Sequence, residues 1–417
     1  MSDDMSISFE SDVRNVMSVV KSSLGAIFDC LPKPLVSPHD VQVAFGIDKK
    51  LGWKLYRVIS ENDVFFSAQF VPGAAAFKKF LRAAAKHGVP SDVVARADKA
   101  LQDFVSMADL HAGDRSSFDL MLLSCSEIGR MQAYLSQQKA AFFANSHLLG
   151  VQAKTQFSTW FFAPSEDFPD FHDIASIRGV VDLRRNRPNV PWLTEGAYFM
   201  TDDGDLKEDL TVGPLDETLK VPPGERIPPF WKKFCTEPLP KVVRWKDAEA
   251  HTIFELTGGD IGNTEASSCT TAQVARAVFP IFRTDTDRFR EICVKARTPV
   301  ETFLIDQFVH EEVLGADAPQ LQVFGDFVTY TWPTGAVETR MDSSQLPTAE
   351  TVHHLGIGPE VSYTSSVPRY VEMVREVLDK MKWDGSRFHL YRVKLSYPVI
   401  PSSIYTVCTL PEKPRGG

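Results

Sequence analysis

The segment SPHDVQVAFGIDKKLGWKLYRVI, residues 37–59, decides how the N-terminal part of this 417-residue chain folds. Its start is typical of a helix, because the Ser37 hydroxyl can accept a backbone amide of the first turn and Pro38 suits the first helical position. Gly46 interrupts this short helix, and Asp48 begins a second one. Four apolar residues are spaced so that two steeply crossed helices bury them together: Val41, Phe45, Ile47 and Leu55. The segment therefore predicts a short helix, a tight turn and a second helix.

The outward face of the second helix is predicted to be basic. Its exposed positions are Lys49, Lys50, Trp53, Lys54 and Arg57. Lysine and arginine at such positions can reach guanine acceptors or phosphate oxygens. The amides at the start of the preceding helix can hold a further phosphate.

This segment resembles the helix-turn-helix of bacterial DNA-binding regulators. The resemblance rests on the helix starts at Ser37 and Asp48, the turn residue Gly46 and the apolar Ile47 directly after it. In that motif class the second helix enters the major groove, with its N-terminal residues nearest the bases. The resemblance implies double-stranded DNA as a partner and a homo-oligomer, since such proteins usually bind two half-sites as dimers. The whole chain is also similar to an uncharacterised bacterial family, which implies no mechanism.

Two positions depart from the motif. Gln42 stands where alanine is usual, and Gly52 stands where a β-branched core residue is usual. Glycine costs about 1 kcal/mol inside a helix. It is also expected to leave a packing gap here, which Leu51 or Trp53 would have to fill.

Residues 45–100 form a basic island in an acidic protein. The whole chain has a net charge of −9, whereas this island holds ten Lys and Arg against five Asp and Glu. A helix that opens at Pro72-Gly73 carries a stripe of cations at i,i+4 steps: Lys78, Arg82 and Lys86. A solvated, lysine-rich helix surface would give the same pattern as a face that meets an anion. The stripe favours the DNA-binding interpretation, because a second basic helix nearby can contact the phosphate backbone of the DNA.

Proline content divides the chain. Residues 1–150 hold five of the 27 prolines, and helical spacing of apolar residues recurs throughout them. We expect a helix-turn-helix-like head over residues 1–62, a helical extension over 63–150 and a β-rich domain over 151–417. The proline-rich stretch 208–240 is predicted to be a long excursion or linker. Such a stretch would divide the last domain in two.

Beyond residue 151 the apolar spacing changes from helical to alternating. The predicted strands are Thr155–Ala163, Ile177–Leu183, Ala197–Met200, His251–Leu256, Ala277–Arg283, Phe289–Ala296, Thr302–Val309, Leu321–Thr331, Tyr391–Tyr397 and Tyr405–Leu410. Helices are predicted over Thr271–Val278 and Val367–Lys382. The fold class is therefore α+β: an N-terminal all-α domain containing the helix-turn-helix-like unit, then a β-rich region that is an antiparallel sandwich or α+β.

Residues 151–417 give little indication of catalysis. His310-Glu311-Glu312 and His353-His354, with His251 or His389, offer possible metal ligands, but no spacing requires a metal. We therefore expect no catalytic residue, metal or cofactor. A deep pocket that collects His310, Glu312 and His353 would instead favour an enzyme.

Composition excludes several classes of protein. With 43% hydrophobic and 24% charged residues, the chain is neither wholly disordered nor a disulfide mini-protein. No apolar run approaches the ~18 residues of a membrane-spanning helix, and the acidic start Met1-Ser2-Asp3-Asp4 does not resemble a secretory signal. Six scattered cysteines without a CxxC pair are typical of reduced thiols in a cytoplasm.

The leading hypothesis is a cytoplasmic, sequence-specific DNA-binding protein. It would be a transcriptional regulator whose β-rich domain senses an effector or binds a protein partner. One alternative is an enzyme or small-ligand-binding protein with its site in the β-rich domain. The other is a structural or assembly protein, which would expose a large apolar patch there.

Overall fold

A computed structural model describes residues 8–195, 212–216, 230–239, 241–246, 252–257, 259–326 and 344–414. The chain divides into two compact units, Met1–Ser136 and Gln137–Gly417. The first unit is helical and the second is rich in sheet, so the predicted α+β class is confirmed. No helix of the described ranges is both long and apolar enough to cross a membrane.

The first part of the chain is a series of helices. They are α1 (Phe9–Asp29), α2 (Pro38–Phe45), α3 (Lys49–Ser60), α4 (Val64–Ala68), α5 (Ala74–Lys86), α6 (Ser91–Ala112), α7 (Arg115–Cys125) and α8 (Glu127–Leu149). Buried side chains from Val13 in α1 to Leu122 in α7 form one hydrophobic cluster. The expected head and the residues that follow it therefore share a single core.

Aromatic contacts in that core hold α5 against α2. The ring of Phe45 at the end of α2 lies edge-on to Phe80 of α5, with 5.0 Å between centroids. Phe28 of α1 contacts both rings. Because α2 leads directly into α3, this packing also brings α5 near the start of α3.

The second unit contains thirteen described strands and one described α-helix beyond α8. The strands are β1 (Val151–Pro164), β2 (His172–Arg185), β3 (Trp192–Glu195), β4 (Val212–Pro214), β5 (Lys241–Lys246), β6 (Thr252–Thr257), β7 (Ser267–Ala275), β8 (Phe289–Ala296), β9 (Val300–His310), β10 (Gln320–Gly325), β11 (His353–Ile357), β12 (Phe388–Ser396) and β13 (Ser402–Thr409). The helix is α9 (Tyr370–Met381).

These strands form three sheets. A seven-stranded sheet has the order β11-β12-β9-β1-β2-β7-β4, and two three-stranded sheets have the orders β10-β13-β8 and β3-β6-β5. β1 pairs in parallel with β9, while every other described strand pair is antiparallel. The large sheet is therefore mixed, so of the two predicted architectures α+β describes this region.

The two faces of the seven-stranded sheet contribute to different cores. Phe157 and Phe161 of β1 pack in the cluster that includes the apolar face of α9. Trp160 and Phe162, which alternate with them, pack in the cluster that includes β8 and β9 side chains. This alternation follows from the two-residue period of a strand.

Two secondary-structure predictions are wrong. Thr271–Val278 is not a helix, because its residues up to Ala275 belong to β7, where β-branched threonine and valine fit the pleated sheet. Ala277–Arg283 is not a strand but an irregular segment that bonds back to the start of β2 through the Val278 amide and the His172 carbonyl. Pro280 within it has no N–H to give to a ladder. The predicted strand Ala197–Met200 lies outside the described residues.

Where the proline-rich stretch 208–240 is described, it contributes a strand and core residues to the second unit. Val212–Pro214 forms β4 at the edge of the large sheet. Leu215, Trp231 and Phe234 are all buried in the core on the α9 side. These anchoring side chains tie the described parts of the stretch to the second unit.

Candidate nucleic-acid interface

The predicted order of helix, turn and helix over residues 37–59 is confirmed. The Ser37 hydroxyl accepts the Asp40 amide at 3.2 Å, and the Asp48 carboxylate accepts the Leu51 amide at 2.9 Å, so both helices are capped. Gly46 adopts a left-handed conformation (φ +59°), which ends α2 and which glycine adopts without strain. Ile47 is buried directly after it.

The two helices approach each other closely at Gly52. A Cβ atom placed on Gly52 would lie 3.1 Å from the Gln42 nitrogen and 3.2 Å from its Cα. The expected packing gap is therefore absent, and the prediction that Leu51 or Trp53 fills it is wrong. The two departures from the motif compensate each other, because the missing side chain of Gly52 makes room for the backbone and Cβ of Gln42.

The first half of α3 presents the side chains predicted for it. Lys49 and Lys50 are exposed, and Trp53 is 42% exposed. Together with the start of α2 they line an open groove of about 610 Å³, which we call the α2–α3 groove. Its lining residues are Ser37, Pro38, His39, Gln42, Lys49, Lys50 and Trp53. The α2 contributors were not predicted as site residues, because only the crossing of the helices places them there.

Lys54 lies farther along α3 and is partly buried, unlike the exposed Lys49 and Lys50. Burial lowers the pKa of its ammonium group, and the Arg115 guanidinium lowers that pKa further. The Asp119 carboxylate acts in the opposite direction. Lys54 therefore belongs to a mixed cluster of charges and is less available to a ligand than Lys49 or Lys50.

Arg57 is engaged within the protein. Its guanidinium lies 2.5 Å from the Glu61 carboxylate. The same group stands over the rings of Phe70, Phe66 and Trp53, with distances of 4.9, 5.6 and 5.8 Å to their centroids. Its charge is compensated, and its contacts support Trp53 from within the fold.

α5 carries the predicted cationic stripe, and a lysine next to that stripe lies near the start of α3. Lys78, Arg82 and Lys86 are all exposed, as predicted from their spacing. The adjacent Lys79, which was not predicted as a site residue, lies 3.6 Å from the Asp48 carboxylate at the start of α3. No local pattern could indicate this contact, because the two residues are distant in the sequence. This contact places Lys79 of α5 near the start of α3.

The start of α2 is a poor phosphate site, contrary to expectation. The Asp40 carboxylate accepts hydrogen bonds from the Ser37 hydroxyl at 2.8 Å and the Val36 amide at 3.1 Å. The hydroxyl contact contributes most to lowering the pKa of Asp40. An anion at this helix end would meet a carboxylate that already occupies it.

The side chains predicted to form an alternative site in the second unit, His310, Glu312 and His353, have separate surroundings. His310 is buried beside Phe388, and its Nδ1 accepts the Glu312 amide. The Arg387 guanidinium lies 2.5 Å from the Glu312 carboxylate. His353 is exposed on β11. His354 and His389 contact each other at 3.2 Å between ring nitrogens. Within the described ranges no three metal-ligating side chains converge, and His251 lies outside those ranges.

The first unit therefore carries exposed cations on α3 and on α5, and an open groove lined by Lys49, Lys50 and Trp53. Lys54 and Arg57 contribute less, because Lys54 is partly buried and Arg57 is paired with Glu61. In comparisons with known proteins, no protein-family model, no curated protein and no solved structure matches the chain.

Proposed function

We propose that the first unit binds double-stranded DNA through the N-terminal half of α3. The observation that carries the proposal is the position of Lys49, Lys50 and Trp53. They line the α2–α3 groove at the start of the second helix of a helix–turn–helix arrangement. In proteins of this kind that helix end lies nearest the base edges in the major groove.

The charges support the proposal. Among the described residues no ion pair involves Lys49 or Lys50, so both ammonium groups are available to phosphate oxygens or guanine acceptors. The α5 stripe adds three exposed cations on the same unit. Each phosphate that a lysine or arginine neutralises releases condensed counterions, which favours binding at low salt.

The same proposal gives roles to the rest of the chain. The protein is a bacterial transcriptional regulator that acts in the cytoplasm, where its DNA lies. Residues 137–417 sense an effector or bind a protein partner. The protein works as a homo-oligomer, since two copies can occupy two half-sites one helical turn apart.

Alanine substitution in the full-length chain tests the proposal. We expect Lys50→Ala to weaken binding to a mixed-sequence duplex about 5- to 10-fold at low salt and to reduce the salt slope by about 1. Lys54→Ala should have a smaller effect, because Lys54 is partly buried. Fluorescence anisotropy of a labelled duplex measures both.

Lys99→Ala is the matched control. Lys99 is an exposed lysine of the same unit, and it pairs with Asp103 on α6 at 2.7 Å. This variant should bind DNA like the unsubstituted protein. Equal losses in the Lys50 and Lys99 variants, or no binding by the unsubstituted chain at low salt, would overturn the proposal.

A further inference from the structure

Neighbouring side chains of the protein hold the indole ring of Trp53 in place. Its indole ring meets Phe70 edge-on, with 5.2 Å between centroids. Phe70 in turn meets Phe66 in the same way at 5.1 Å. The Arg57 guanidinium contacts all three rings and is fixed by Glu61. A side chain supported in this way loses little conformational entropy when a ligand contacts its exposed part.

The surroundings of Trp53 indicate what that ligand is. The indole is 42% exposed and lines the α2–α3 groove with the apolar Pro38. Lys49 and Lys50 line the same groove. An apolar surface bordered by exposed cations complements a ligand that presents an apolar group between anionic groups.

Duplex DNA presents such an arrangement in its major groove. Thymine carries a methyl group there, and cytosine, adenine and guanine do not. Lysine contacts to phosphates position a protein on DNA but carry no sequence information. Where Lys49 and Lys50 contact phosphates, sequence information has to come from other side chains of the α2–α3 groove, and Trp53 is the large apolar one.

We propose that Trp53 is a specificity-determining residue that reads the C5-methyl group of thymine in the major groove. This inference rests on the proposed function and adds to it that the bound sites contain an A·T pair at the position facing Trp53. Burying one methyl group against the indole favours a thymine site by about 3- to 10-fold over the same site without the methyl.

The test uses two duplexes that differ only in that methyl group. One is a mixed-sequence duplex of about 30 base pairs, and in the other deoxyuridine replaces every thymidine. Both have the same phosphates and the same base pairing. We expect the full-length protein to bind the thymine duplex about 3- to 10-fold more tightly, and Trp53→Ala to bind the two duplexes equally.

Val43→Ala is the matched control. Val43 is an exposed apolar residue of α2 that does not line the groove, so this variant should keep the preference for thymine. Trp53→Leu, which retains an apolar side chain, serves if Trp53→Ala does not fold, and it should reduce the preference.

The outcomes separate the two proposals. Binding of both duplexes with equal affinity by the unsubstituted protein overturns the role of Trp53 and leaves the proposed function standing. An undiminished preference in the Trp53 variants also overturns it, because the methyl is then read elsewhere or through DNA shape. Failure to bind either duplex removes the proposed function, and the inference with it.

Discussion

The imidazole of His172 is buried at the start of β2. Its Nδ1 atom lies 3.2 Å from the Phe279 carbonyl oxygen. Burial, and then the nearby charge of Arg290, lower the pKa of His172 from 6.5 to about 3. The folded protein thus keeps this histidine neutral at pH values where the unfolded chain would protonate it.

Stability should therefore fall as the pH falls below about 7. Between pH 6.5 and pH 3 the unfolded state binds a proton that the folded state does not, so acid favours unfolding. The expected loss in the free energy of unfolding is about 2 kcal/mol between pH 7.5 and pH 5. Urea denaturation across this range measures it, with His172→Gln as the control that lacks the titration. Identical pH slopes for the two proteins would contradict this account.

Individual side chains show what a sequence can and cannot predict about a site. The exposure of Lys49, Lys50 and the α5 stripe follows from helical spacing alone. The contacts of Arg57 with Phe66 and Phe70 could not be predicted, because these rings reach it through the fold of α4 and the loop after it. The pairing of Arg57 with Glu61 is different, since it is a local i,i+4 contact. An outward position on a helix predicts exposure only where no later element covers it.

At the scale of elements, the crossing of α2 and α3 depends on the absence of a side chain at Gly52. We expect Gly52→Val to lower the free energy of unfolding of the first unit by about 1–3 kcal/mol, because the new atoms would press on the Gln42 backbone. DNA binding should weaken as well, since the substitution separates the two helices. Urea denaturation and fluorescence anisotropy measure the two effects.

Gly25 in α1 provides the comparison. A Cβ atom placed there meets nothing within 4 Å. Gly25→Ala should therefore raise stability by up to about 1 kcal/mol, through helix propensity alone. If Gly52→Val were as well tolerated as Gly25→Ala, the close approach of the helices would be refuted.

The success of the other element predictions depended on the surroundings of each segment. Helices with one apolar stripe, such as α5 and α9, were predictable from spacing, and so were long apolar strands such as β1 and β9. β7 was mistaken for a helix, because both of its faces are partly buried and its polar threonines obscure the alternation. The short strands β3, β4, β5 and β11 were missed, because segments of so few residues show no recognisable alternation of apolar side chains.

At the scale of the whole molecule, the chain has two units with separate hydrophobic clusters. The cluster of α1–α7 contains residues of the first unit alone. We therefore expect a fragment of residues 1–136 to fold by itself and to bind duplex DNA. Circular dichroism and anisotropy measure this, with a fragment of residues 137–417 as the comparison. DNA binding that stays with the second fragment would place the interface elsewhere.

The pairing of β1 with β9 could not have been predicted from the sequence. The two strands are parallel neighbours in the large sheet, although more than a hundred residues separate them. Alternation identifies strands but says nothing about which distant strand each one joins. For this reason the sequence predicted the α+β class but neither the mixed sheet nor the division of the chain at residue 136.

Lysine labelling with and without DNA tests the central claim most directly. A reagent that modifies exposed amines is applied to the full-length protein, and mass spectrometry measures the rate of modification at each lysine. The account predicts that an excess of duplex DNA slows the labelling of Lys49, Lys50, Lys78 and Lys86, while Lys99 and Lys413 react at unchanged rates. Unchanged labelling of Lys49 and Lys50 in the presence of bound DNA would contradict it.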